Sequence, residues 1–428
     1  MRSAEPWSRR RALAGLAATF ALPRLASAAP RSGWAAAAPA DLSLRNAILV
    51  LPNGAQLRGG LSVVGGRIQA LGPEVDQGED MGGDWIFPGI FDAAGTLGMV
   101  EVDQESGSRD DRDVGALTPD ARAIDGYNPH SEVIPVTRMG GITGALVVPR
   151  TSGLISGQAA AVRTVGDTLA ESTLRSPAAL LIRLGPGGDA GSRVGALREL
   201  RAALEASPAP PTAQKGHQRP FATSADEPAE AGADALAAAR RRELPVLIHA
   251  ERSDDIERAL GLLDEWGLDG AIWGGAEAWM LRHSIAEAGV RVVLSPVLAQ
   301  PDGYGRLGAR YDNAKQLHEA GVALAFGSGG AHFSRNLRVN VGVLTAHGLP
   351  WAAAMDALCA GGPELYGLPG LGRLAPGAEA TFVRCSGDPL QPRTAIRGVW
   401  FGGRPASLRS HQTELLERYQ TLSGPAAR

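Results

Sequence analysis

Short apolar runs separated by polar, Gly-rich stretches recur along the chain. Their lengths predict strands at both ends and a strand–helix alternation between them. Residues 42–68 hold three β-like runs, LRNAILVL, QLRGGLSVV and GRIQALG, parted by the turn signals Asn53-Gly54 and Gly65-Gly66. Residues 379–384 and 395–401, followed by Gly402-Gly403, repeat that style near the other end. Two β-rich ends flanking a mixed middle predict one small β-sandwich built from both.

Between them, unbroken apolar runs at 86–91, 142–148, 178–184, 245–249, 270–273, 290–294 and 322–326 read as buried parallel strands. Amphipathic stretches at 193–206, 230–242, 254–266, 279–288 and 313–320 read as helices. Ser131 is placed to cap a helix running to Met139. The alternation predicts an α/β fold, a (β/α)8 TIM-like barrel, with an open doubly wound sheet as the alternative. No GxGxxG follows the first strand of the repeating region, which weighs against that alternative. Residues 207–228, rich in Pro and Ala, read as a surface excursion.

Composition changes little. With 428 residues, the chain can bury a large core. A net charge of −3 gives no reason to expect nucleic acid or an anionic membrane as partner. Two cysteines, Cys359 and Cys385, make no disulfide framework; a pair in an oxidising compartment and two buried thiols both stay open. The first 28 residues read as a twin-arginine-like export signal: Ser8-Arg9-Arg10-Arg11, an apolar run to Pro23, and Ala26-Ser27-Ala28 as a cleavage site. The apolar run is too short to span a bilayer core of about 30 Å. Ala12, where a larger apolar residue is usual, leaves the general secretory route open. The expected mature chain is periplasmic or secreted and has no integral membrane span. The expected organisation is a signal over 1–28, a linker over 29–40 and a barrel over 89–370. The sandwich takes one segment from 41–88 and its other segment from 371–408, and 409–428 form a terminal helix or tail.

Residues 85–102, WIFPGIFDAAGTLGMVEV, resemble the first barrel strand of the amidohydrolase superfamily, where a Pro-Gly and an Asp precede a His-x-His pair. The strand LPVLIHAE, ending in His249, and the closing segment LAPGAEATFV are similar to the same family. The run from Leu154 to Gln158 resembles its imidazolonepropionase-like subgroup. The resemblance implies a metal-dependent barrel inserted in a β-sandwich. It also implies hydrolysis of a non-peptide C–N bond, of cyclic amide or amidine type, by metal-bound hydroxide.

Carried over position by position, the resemblance places the usual metal ligands at Ala94, Thr96, His249, Trp273 and Gly329, and His249 alone is a ligand type. One imidazole does not hold a divalent ion tightly, so no cofactor is expected at the standard positions. A displaced site for zinc or another divalent metal would draw on His249, His332, Glu101 and Asp103. A metal-free acid–base site would use His249 with Glu251 or Glu277. Gln158, Arg335 and Asn336 are candidate substrate-binding residues, the arginine for a carboxylate. The charged run 109–113 either gates the barrel mouth or is a solvated loop. Gly274-Gly275 either admits a ligand to the backbone or makes a tight turn. Two functions follow: a C–N hydrolase of impaired or altered activity, or a non-catalytic binder of a small ligand or partner. A homo-oligomer is compatible with either.

Overall fold

The computed structural model describes residues 39–112, 115, 117–150, 153–185, 192–207, 233–296, 299–301 and 303–420. The export signal, most of the 29–40 linker and nearly all of the 207–228 excursion lie outside the described residues.

The chain begins with five strands, β1 (Leu42–Val50), β2 (Gln56–Val64), β3 (Arg67–Gly72), β4 (Glu79–Asp80) and β5 (Trp85–Pro88). Eight more build the barrel: β6 (Ile90–Gly95), β7 (Ile142–Val147), β8 (Ile155–Arg163), β9 (Thr173–Arg183), β10 (Val246–Ala250), β11 (Gly270–Gly274), β12 (Arg291–Leu294) and β13 (Leu324–Phe326). Three late strands, β14 (Phe382–Cys385), β15 (Ile396–Phe401) and β16 (Arg404–Pro405), return to the first sheet.

That first sheet runs β16-β15-β14-β5-β1-β2-β3, with β4 also paired to β1. The expected union of the two chain ends is therefore real, and its strands form one continuous hydrogen-bonded path. The reason is the pairing of β14 with β5: Phe382 lies opposite Pro88 and Cys385 opposite Trp85, so the late strands extend the early ones edge to edge. Leu44, Leu49, Leu61, Ile86, Phe382 and Trp400 form its core, with Phe382 stacked on Trp400 at 5.0 Å.

The single apolar run at 86–91 serves both sheets. β5 ends at Pro88 and β6 starts at Ile90, and Gly89 makes the crossing. A Cβ on Gly89 would stand 2.2 Å from the Thr143 hydroxyl oxygen, so only glycine lets the strands approach this closely. Residues 92–95, beyond the apolar run at 86–91, continue β6.

The barrel order is β13-β12-β11-β10-β9-β8-β7-β6. Neighbours pair in parallel except around β8, which is antiparallel to both β7 and β9. Residues 154–158 lead into and begin β8. The physical reason is length. Residues 148–154 are too few for a parallel crossover, which takes about a dozen residues, so the chain reverses. The seam between β13 and β6 is closed by the Gly329 N–H donating to the Ala94 carbonyl at 2.9 Å.

Inside the barrel, Phe91, Ala93, Ala94, Leu146, Ala159, Ala161, Leu181, Leu247, Trp273 and Val293 pack with Tyr366. The expected helices are present, for example Arg193–Ala206, Ala233–Arg240 and Ser253–Glu265, and their apolar faces build the larger outer core. Cys359 and Cys385 are buried free thiols. Burial pushes the Cys385 thiol up to about 12, and Cys359 higher still. No helix among the described residues is long and apolar enough to cross a membrane.

Candidate active site at the C-terminal mouth of the barrel

β10 carries His249 at the end of its buried run and delivers it to the mouth of the barrel. In this architecture, chemistry sits where parallel strands end. The loops there enclose a cavity of about 460 Å³. Thr96, Asp103, His249, Glu251, Trp273, Gly329 and His332 are among its lining residues. That volume suits a small molecule.

His249 and Glu251 are the closest acid–base pair in this wall. The His249 Nε2 lies 3.5 Å from one Glu251 oxygen, and the Arg306 Nε lies 3.8 Å from the same oxygen. The other Glu251 oxygen accepts the Ala276 N–H at 3.0 Å. Burial alone would push this carboxyl up. The bond and charge of His249, the Arg306 guanidinium and the Ala276 amide outweigh it and hold the carboxyl below its usual range. Glu251 therefore stays ionised behind the imidazole. The His249 ring meets Trp273 edge-on at 4.9 Å. The His249 Nδ1 and Trp273 Nε1 are both buried with no hydrogen-bond partner.

Gly274, with φ of 97°, explains how Glu251 fits: a Cβ there would come within 2.8 Å of the Glu251 carboxyl carbon. Of the two readings for Gly274-Gly275, the first residue makes room for a side chain of the site and does not line the main cavity.

Glu277, expected as a possible partner of His249, is occupied elsewhere. One carboxylate oxygen accepts the Ser253 N–H at 2.9 Å and the Ser253 hydroxyl at 3.2 Å, at the start of the helix Ser253–Glu265. The other accepts the Gly308 N–H at 3.0 Å. Its geometry is that of a strut between two loops. Gln158 lies on β8 and donates its side-chain amide to the Pro119 carbonyl at 2.9 Å, so it carries the 118–122 segment and does not line the cavity. Arg335 and Asn336 are exposed on the short turn Ser334–Asn336, also outside the lining. His332 and Asp103 do line the cavity, and Glu101 does not. Among the described residues, no three His, Cys, Asp or Glu side chains converge as ligands for one ion.

Beneath the mouth, Asp92 is fully buried. One oxygen accepts the Ser328 N–H at 2.8 Å, and the other accepts the Ser334 hydroxyl. Burial raises its carboxyl from 3.8 to about 6 against the opposing pull of those hydrogen bonds. Asp92 thus pins the loop after β13, which carries Gly329 and His332, to the first barrel strand. Sequence reasoning treated Asp92 as a motif residue only. It missed Arg109, Asp111 and Arg150 as cavity residues, although the charged run 109–113 was noted as a possible gate.

Residues 217–408 match the model of the amidohydrolase family. Over that stretch the sequence is similar to the amidohydrolase family. Solved structures agree in fold. An amidohydrolase from Thermotoga maritima MSB8 is 20% identical, with 86% of this chain and 100% of that chain covered and a TM-score of 0.74. A mutant atrazine chlorohydrolase from Arthrobacter aurescens TC1, complexed with zinc and atraton, is 15% identical over 89% of this chain and 99% of its own, with a TM-score of 0.50. Dihydropyrimidinase from Brevibacillus agri NCHU1002 is 13% identical over 86% and 95%, with a TM-score of 0.50. At these identities the likeness concerns the fold. No curated protein matches the sequence.

Proposed function

We propose that this chain is a member of the amidohydrolase superfamily that takes a small molecule with a non-peptide C–N bond, of cyclic amide or amidine type, into the cavity at the barrel mouth, and acts on it without the superfamily's metal-held hydroxide. The observation that carries this reading is the wall of that cavity. Where the family would present ligands, Thr96, Trp273 and Gly329 line it, and Ala94 is packed in the barrel core. His249 remains, with its Nε2 turned to Glu251. A methyl group, a threonine, an indole and a glycine do not supply the three or four N or O donors a hydrolytic ion needs. The residues present do not fit the metal.

What remains is general acid–base chemistry. The ionised Glu251 supports positive charge on the His249 ring, so the imidazole can take a proton from water as the oxygen attacks the C–N carbon. It can then return the proton to the departing nitrogen. A base of this kind contributes about 10²–10⁴-fold. Turnover is accordingly slow. A pure binder on the same barrel is the second reading, favoured by the burial of the His249 Nδ1 away from solvent.

The test is a metal and turnover assay on purified protein with dihydrouracil, a neutral cyclic amide, as probe. The expected protein carries well below one equivalent of zinc, manganese or iron and gains no thermal stability from added metal. Its slow hydrolysis of dihydrouracil drops by about 100-fold in His249→Ala. One tightly held equivalent of metal would overturn the metal-free reading. Binding of dihydrouracil with no turnover would decide for the binder.

We also propose export, resting on residues 8–28. Amino-terminal sequencing of protein from the native compartment should find a start near Ala29, and a chain that retains Met1 there would exclude it.

A further inference from the structure

We infer that the cavity recognises an anionic group on its small-molecule ligand, a carboxylate or a phosphoryl group, through Arg109 and Arg150, with Asp111 as the residue that positions them. This rests on the proposal that the barrel-mouth cavity is the working site, and it names the chemistry of what enters.

The loop after β6 folds back on itself at the mouth. The Glu101 N–H donates to the Ser108 carbonyl at 3.1 Å, and the Asp110 N–H to the Met99 carbonyl at 2.9 Å. This places Asp111 against the start of the β7–β8 connection, where its carbonyl accepts the Arg150 N–H at 2.6 Å. The Asp111 carboxylate is 2% exposed, and three guanidiniums converge on it. Arg109 reaches it at 3.3 Å, Arg150 at 3.8 Å and Arg112 at 4.0 Å. Arg109 and Arg150 both line the cavity beside the one buried Asp111 carboxylate, which can balance only one of them, and Arg112 lies outside the lining. Asp103 and Asp110 are exposed nearby, where solvent and salt screen them.

The hydrogen bonding is also incomplete. Arg109 donates one nitrogen to the Asp103 carbonyl at 3.0 Å and another to Asp111, while its Nε is buried with no partner. Asp111 keeps one buried oxygen without a hydrogen bond, its nearest cation being Arg112. Arg150 is half exposed, with its longer contact to Asp111 leaving donors toward the cavity. Buried donors without acceptors are costly, and a planar guanidinium matches a carboxylate or phosphoryl group in two-point geometry. The same cavity holds His249 and Glu251, so an anion held by the arginines leaves the rest of a small molecule facing the acid–base pair. The ligand implied is a small amide or ureide with a carboxylate at one end.

The experiment measures binding to the full mature chain at low ionic strength. Its probes are N-carbamoyl amino acids, the matching C-terminal carboxamides, neutral dihydrouracil and inorganic phosphate. The carboxylates are expected to bind at least about tenfold more tightly than their carboxamides, a difference of about 1.4 kcal/mol, and to weaken as salt rises. Arg150→Gln should shrink the preference to less than about threefold while leaving the melting temperature near wild type. Arg150→Lys, which keeps the charge and loses the planar fork, should fall between. Equal binding of carboxylates and carboxamides, or a preference that survives in Arg150→Gln, overturns the inference and leaves the cavity's C–N reading standing. Phosphate binding lost in Arg150→Gln, with no amide, ureide or dihydrouracil bound, upholds the anion grip and sinks the C–N reading. No binding by any probe sinks both.

Discussion

Asp92→Asn should remove about 3 kcal/mol of pH-dependent stability that the wild-type chain loses between about pH 4 and pH 7. The Asp92 carboxyl is raised from 3.8 to about 6, with burial as the main cause. Below about pH 3 it is mostly protonated in both the folded and unfolded chain, and the fold meets no penalty. As pH rises toward 6, the unfolded chain ionises first and the folded chain holds its proton, so the folded state binds more protons and stability falls. Above the folded value the loss is complete. At 1.36 kcal/mol for each pH unit between the two values, it comes to about 3 kcal/mol. Asparagine keeps an acceptor for the Ser328 N–H. The Ser328 and Ser334 hydroxyls, 3.1 Å apart and free to donate in either direction, can reverse their bond to suit the new amide. Urea unfolding of both proteins from pH 4 to pH 8 checks this. Other carboxylates, such as Glu251 and Glu379, are held low and act in the opposite direction, so the informative quantity is the difference between the two proteins. Two curves that stay parallel would show that Asp92 ionises in the fold as it does in the open chain.

The second large effect is expected at Tyr366. Its ring is fully buried among the barrel's interior side chains, tilted against Phe91 at 6.3 Å. Its hydroxyl donates to the Ala93 carbonyl at 2.6 Å, next to the position where the family would begin its ligand pair. Tyr366→Ala leaves a cavity that a closed barrel cannot collapse, and should cost about 3–5 kcal/mol. Tyr366→Phe keeps the ring and orphans the carbonyl, costing about 1–3 kcal/mol. Chemical unfolding resolves the two. A cost below about 1 kcal/mol for the alanine variant would mean that the barrel interior is not closely packed at that end. Because Ala93 precedes Ala94 on β6 and Thr96 just beyond its end, the phenylalanine variant should also weaken ligand binding at the cavity more than its stability loss alone explains.

The candidate site was legible in the sequence to the extent that its groups sit on strands. His249 closes an apolar run, and a strand with a known direction delivers its last residue to one face of the barrel. Glu251 follows by spacing. The groups that sequence reasoning missed or misplaced belong to loops. Glu277 has the right distance in sequence from His249, yet the helix start at Ser253 and the Gly308 amide claim both its oxygens. Arg335 looked suited to a carboxylate, and it is the fold-back of the 99–112 loop that brings Arg109 to that wall instead.

The pattern of apolar runs, by itself, determined that both chain ends form strands, that most of the middle alternates strand and helix, and that a strand ends at His249. These follow from local periodicity and residue identity, which need no partner in space. The tertiary structure alone decided that β8 runs backwards, that the two ends make one sheet, that Asp92 is a buried pin, and that three arginines share one aspartate. Each depends on which distant groups compete for a hydrogen bond or a charge, and that contest takes place only once the chain has folded.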